Sequence, residues 1–245
     1  SGMKHFRYYI LPRLLLVLSI IAALFCLFFL WLSLDAPLPS PAAICARMDR
    51  ENYSSGGEIV ASGPIDMTEE GIIIKSDYTD RDCWWFIRRS GDRFQLQVLE
   101  RLAGFLWRPL DRATRGRSYQ LSLQDQPIGC TFDVFQLTSL DGFSGMDASK
   151  VIPILLCVDP AVVRVEAQLV ALSEEDWANP QAAIAQRGVS PTFTKAGDGV
   201  WVGPSPYVLI PWASPKSSGY LVAFCQGYDA DGNLVCSYDP TKDRE

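Results

Sequence analysis

Histidine is nearly absent from this chain: His5 is the single one among 245 residues. Beyond residue 34 there is none, which removes Ser-His-Asp triads, Cys-His dyads, imidazole general bases and His-ligated catalytic zinc from that part. Lysine is also scarce there, limited to Lys75, Lys150, Lys195, Lys216 and Lys242. No G-x-S-x-G, P-loop, G-x-G-x-x-G, H-E-x-x-H or C-x₂-C string occurs, so the common nucleotide, hydrolase and zinc signatures are missing. There is neither an internal repeat nor a low-complexity segment. These absences predict no cofactor and no metal. The chemistry left open is carboxylate catalysis, as in glycoside hydrolysis, or a Ser-Lys mechanism. Asp66, Glu69, Glu70, Asp77 and Asp80 qualify for the former only by number, and read equally as solvated loop charges.

What the chain does have is one long apolar run. Leu14–Leu34 carries no charge and as a helix would rise roughly 31 Å, about the hydrocarbon thickness of a bilayer. The run exceeds the apolar region of a cleaved leader, and Ile44 ahead of Cys45 argues against a lipoprotein site. Lys4, Arg7 and Arg13 precede it and no basic residue follows until Arg47, so the positive-inside rule predicts a cytosolic tail at 1–13, a span at 14–34 and an exported remainder. Residues 35–44, with Pro37, Pro39 and Pro41, read as an extended spacer. Residues 45–245 read as one domain, with a possible subdomain break near 140–145.

Six cysteines lie beyond the span: Cys45, Cys83, Cys130, Cys157, Cys225 and Cys236. An even number on an exported side fits disulfides. One pairing follows from local chemistry. Gly219–Tyr238 reads as two strands about a turn with Asp229 first and Gly232 last, and if these two face each other, Cys225 and Cys236 stand directly opposite. A bridge between Cys225 and Cys236 is therefore expected. A two-residue turn at Asp231-Gly232 would instead make them diagonal. Asp229-Ala230-Asp231-Gly232-Asn233 also resembles the start of a calcium loop, but its glycine falls at the fourth position and Pro240 stands where a bidentate Glu belongs.

Strand signals dominate the exported part. Phe94–Val98, Tyr119–Leu123 and Val163–Ala167 alternate apolar and polar residues, as half-buried antiparallel strands do. Helix signals are few: Ser173–Asp176, Asn179-Pro180 leading to Gly188, and a weaker apolar spacing over Leu99–Leu110. The predicted fold is mainly β, a β-sandwich-like or α+β domain with one or two short helices, preceded by a single N-terminal transmembrane helix.

Charge is unevenly distributed. Residues 35–80 carry −6, residues 81–117 carry nine arginines and +5, and residues 118–245 carry −8. The arginine block is interleaved with Trp84, Trp85, Phe86, Phe94, Phe105 and Trp107, and Arg with Trp is the pairing that dominates interface hot spots. Arg88, Arg89, Arg108, Arg112, Trp84 and Trp107 are the expected partner contacts. In the other reading of the same block, the tryptophans are core and the arginines pair with the acidic flanks. Together these features predict a non-catalytic protein-binding module in the bacterial inner membrane, its domain in the periplasm. It would be either an immunity-type protein that neutralises a toxin or an accessory subunit of an envelope or secretion assembly. The partners are then a protein and the lipid bilayer, with no nucleic acid, because an acidic domain repels phosphate. A cell-wall glycan hydrolase with paired carboxylates is the alternative.

Overall fold

A computed structural model describes residues 11–52, 57–66, 81–110, 119–121, 123, 126–138, 146–204 and 220–242. The expected subdomain break, Arg112 and the candidate carboxylates Glu69, Glu70, Asp77 and Asp80 lie outside them. The first helix, α1, spans Leu11–Ser33 and has no buried residue. Among the described residues it is the one helix long and apolar enough to cross a membrane.

The remainder is mostly β-structure in three antiparallel sheets. Sheet 1 runs β1 (Glu58–Pro64), β2 (Cys83–Ser90), β3 (Arg93–Leu102) and β4 (Leu106–Pro109), with β5 (Tyr119–Leu121) also on β3. Sheet 2 runs β6 (Ile128–Thr138), β7 (Met146–Cys157), β10 (Val200–Val202) and β9 (Thr194–Gly197). Sheet 3 runs β12 (Leu234–Tyr238), β11 (Tyr220–Tyr228) and β8 (Arg164–Leu172).

Strand alternation decides how the sheets stack. On β7, Ile152, Ile154 and Leu156 pack with Ile87, Phe94 and Leu96 of sheet 1. Leu155 and Cys157 pack with Val165, Ala167, Leu169 and Cys225 of sheet 3. Sheet 2 is therefore the middle layer, which explains the unbroken apolar run Ile152–Cys157 where its neighbours alternate.

Helices close the outer faces. The second helix, α2 (Pro41–Asn52), lays Ile44, Cys45 and Met48 on Phe86 and Leu99 of sheet 1. A 3₁₀ turn (Glu175–Ala178) and α3 (Pro180–Arg187) cover Val170 and Leu172 of sheet 3. The cap expected at Asn179 is present, its side chain accepting from the Ala182 amide, with Pro180 in the first turn. Two expectations are corrected. The segment 35–44 is not a simple spacer: Ser40 accepts the first helical bond from Ile44, and Pro41 opens α2, where its missing N–H costs nothing. Leu99–Leu110 is a hairpin and not a helix, because Ala103 and Gly104 adopt positive φ (50° and 79°) and turn the chain back on itself.

Candidate functional site

Two faces carry clustered charge and aromatic side chains. The first is the outer face of sheet 1, built from the expected arginine and tryptophan block. Arg88 is 3% exposed. Its Nη1 donates to Asp49 of α2 at 2.9 Å, Nη2 grips the second carboxylate oxygen, and Nε and Nη2 reach the Gly57 carbonyl. The Asp49 carboxylate raises the guanidinium's pKa above its ordinary value despite burial. Arg89 points the other way, on the inner face with Ile87 and Phe94: it donates to the Gly91 carbonyl, pairs at 3.2 Å with Asp198 between β9 and β10 of sheet 2, and lies over Phe94. At the inner face, opposite Cys83, Glu100 pairs with Arg108 at 2.9 Å, and Arg81 stands 3.5 Å from the same carboxylate. Arg101 binds Asp82 at 2.7 Å while stacked over Trp84, whose indole N–H donates to the other Asp82 oxygen. Trp84 and Phe86 each meet Trp107 edge-on.

The expectation of a free arginine surface is corrected at Arg88, which is buried in a bidentate pair. Arg89 and Arg108 have carboxylates of their own chain, and Trp84 and Trp107 are half-buried packing partners of Arg101. The other reading holds in part: Arg88 and Arg89 meet the flanking acids Asp49 and Asp198, whereas Arg101 and Arg108 pair with Asp82 and Glu100 inside the block itself. Sequence reasoning missed Asp49, Asp82, Glu100 and Arg101 as participants; the change of charge sign between residues 35–80 and 81–117 was a signal for Asp49 alone, the other three lying within the arginine block.

The outer face of sheet 1 also receives the chain that follows α1. Leu38 bridges Trp107 through two backbone hydrogen bonds of 2.8 and 2.9 Å. The helix leaves through Asp35 and Ala36, both at positive φ, a costly conformation for residues with a Cβ. Arg47 of α2 donates to their carbonyls at 3.3 and 2.6 Å, and the Trp31 indole donates to the Pro37 carbonyl. These bonds seat the end of α1 on the domain.

The second face is the outside of sheet 3 beyond the reach of α3. There an open groove of about 730 Å³ is lined by Arg164, Glu166, Gln168, Gln226, Ser237 and Lys242, with α3 along one side. Arg164 and Glu166 form an ion pair, yet their side chains stay 52% and 54% exposed. Arg164 also lies 4.2 Å from the centre of the Tyr228 ring. The Tyr228 hydroxyl donates to Gln226 at 2.8 Å, and burial together with the Glu166 charge raises its pKa above the ordinary value. The groove carboxylates are Glu166 and Asp239. Asp239 caps its own turn, accepting from the Thr241 amide and hydroxyl.

The cysteine expectation is corrected by register. The Asp229–Gly232 turn forms as expected, with Gly232 donating to the Asp229 carbonyl. Gly232 then takes φ 85°, so Asp229 closes on Asn233, and a second irregularity follows at Gly227/Tyr228. Cys225 consequently faces Tyr238, and Cys236 faces Gly227. The two are diagonal neighbours, typically about 7 Å apart, beyond the reach of a disulfide. The calcium resemblance also dissolves: the Asp229 carboxylate accepts from the amides of Asp231 and Asn233 and from the Asn233 side chain, which lowers its pKa. No cluster of three His, Cys, Asp or Glu side chains able to hold a metal occurs among the described residues.

No family model matches the chain, and no curated protein and no solved structure is detectably similar to it.

Proposed function

We propose that the protein is a non-catalytic binding module held at a membrane by α1, its folded part facing the periplasm of a bacterial cell and engaging another protein through the sheet 3 groove. The carrying observation is the contrast in exposure: Arg164 and Glu166 remain 52% and 54% exposed in an open groove, whereas the paired Arg88, Arg101 and Arg108 of sheet 1 are 3%, 31% and 18% exposed. Exposed, mixed-charge hydrogen-bonding groups on a rigid sheet suit recognition of a polar protein surface. The two carboxylates of the groove are a half-exposed ion-pair partner and a turn cap. Neither sits in the water-poor setting that tunes a general acid. The basic flank before α1 supports the orientation. Within this reading the partner is a toxin or a component of an envelope assembly.

Site-specific photocrosslinkers at Gln168, Gln226 and Ser237, in cells, test the proposal against the same probe at Arg50 on the outer side of α2. One adduct of constant mass from the groove positions and none from Arg50 is expected. Adducts confined to Arg50, or none from the groove, would refute it. Protease added to spheroplasts should degrade the domain and leave α1; full protection would reverse the topology.

A further inference from the structure

Cys157 ends β7 in the middle sheet, and Cys236 lies on β12 of sheet 3. Their sulfurs are 4.0 Å apart across the interface between the two sheets, and the residues are 1% and 9% exposed. The approach depends on Gly227, the residue opposite Cys236: a Cβ there would come within 2.9 Å of the Cys236 sulfur. With glycine at that position, the Cys236 side chain crosses its neighbouring strand and points at sheet 2. A disulfide requires about 2.05 Å between sulfurs, so the two sulfurs have to close by about 2 Å.

We propose that Cys157 and Cys236 form a disulfide that joins sheet 2 to sheet 3. The oxidant is a disulfide donor of the dithiol-exchange class. One cysteine thiolate attacks the donor, releasing a donor thiolate and leaving a mixed disulfide; the second thiolate then attacks the protein sulfur of that bond and releases the other donor thiolate. The two cysteines lose two electrons and two protons, and the donor is reduced to two thiols. Burial pushes the Cys236 thiol up to about 12 and the Cys157 thiol upward as well. Thiolate is therefore scarce once the sheets have closed, and the exchange belongs to the stage before the β11–β12 hairpin seats. Among the described residues no group of three His, Cys, Asp or Glu side chains forms around the pair to hold a metal instead.

The full chain in detergent micelles, reduced and then reoxidised with oxidised glutathione in mild denaturant, is alkylated and digested without reduction. The expected product is one linked peptide pair containing Cys157 and Cys236. Cys225→Ser should retain it, and Cys236→Ser should abolish it and leave Cys157 alkylated. Because the bond spans 79 residues, its reduction should lower the thermal midpoint by on the order of 10 °C. Recovery of both cysteines alkylated, or of either joined to another cysteine, would overturn the proposal. The reoxidation reads pairing alone, so its failure is separate from any failure of the proposed export or partner binding.

Discussion

The outer faces of sheets 1 and 3 use the same three-part chemistry and differ in how much of the surrounding face is covered. On sheet 1, Arg101 lies over Trp84 and binds Asp82; on sheet 3, Arg164 lies over Tyr228 and binds Glu166. What differs is the cover. Helix α2 and the Leu38 bridge close over sheet 1, and Arg88 beneath them is 3% exposed. Over sheet 3, α3 ends at Arg187 after covering Val170 and Leu172, and the remaining strand length stays open. An arginine beside an aromatic ring is thus a structural clamp or an available surface according to which of the chain's own elements reach it. Burial also changes the energetics. A paired charge removed from water becomes expensive to orphan, whereas an exposed pair contributes little.

The largest expected effect comes from breaking the covered face. Arg88→Ala leaves Asp49 without its buried partner and the Gly57 carbonyl without its donor, and should destabilise the domain by about 3 to 5 kcal/mol, measured by denaturant unfolding of the full chain in micelles. Ile44→Ala comes next. It removes a fully buried side chain from the α2 interface and should cost about 3 kcal/mol, a loss that a detached spacer would not show. Arg164→Ala on the open face should change stability by less than about 1 kcal/mol while reducing groove crosslinking at least tenfold. A stability loss equal to that of Arg88→Ala would erase the distinction between the faces.

The smallest effect concerns the hairpin beside the groove. The Asp229 carboxyl is held below its ordinary value of 3.8 by hydrogen bonds from Asn233 first and Asp231 after. A group depressed in the folded state stabilises above its unfolded pKa and loses that contribution as pH falls through the folded one. The gap in thermal midpoint between the native chain and Asp229→Ala should therefore be full at pH 6 and narrow as the pH drops below 3.8.

Much of this architecture is legible in the chain, and the exceptions have physical causes. Alternation at Phe94–Val98 and Val163–Ala167 marks strands, and the apolar run marks α1, because both depend on local periodicity. Pro41 carries two readings, an extended spacer or the first turn of a helix, and only the packing of Ile44 and Met48 on Phe86 and Leu99 selects the second. Leu99–Leu110 has helix-like apolar spacing, but Leu99 packs under α2 while Trp107 pairs with Leu38, contacts no local pattern encodes. Asp49 and Arg88 are 39 residues apart, so their pairing was beyond any motif. The Cys225–Cys236 expectation failed by two register steps, one at the turn, where Gly232 is left-handed and Asp229 closes on Asn233, and one at the Gly227/Tyr228 irregularity. The groove was invisible because its lining comes from β8, α3, β11 and β12, and its openness depends on where α3 stops.

The central claim is that α2 belongs to the domain and seals the arginine face. Backbone hydrogen exchange of the full chain in micelles tests it most directly. The amides of Ile44–Met48 should show protection matching that of Ile87 and Leu96 in sheet 1; exchange within seconds, as in an unstructured linker, would contradict the claim and return the arginine face to solvent.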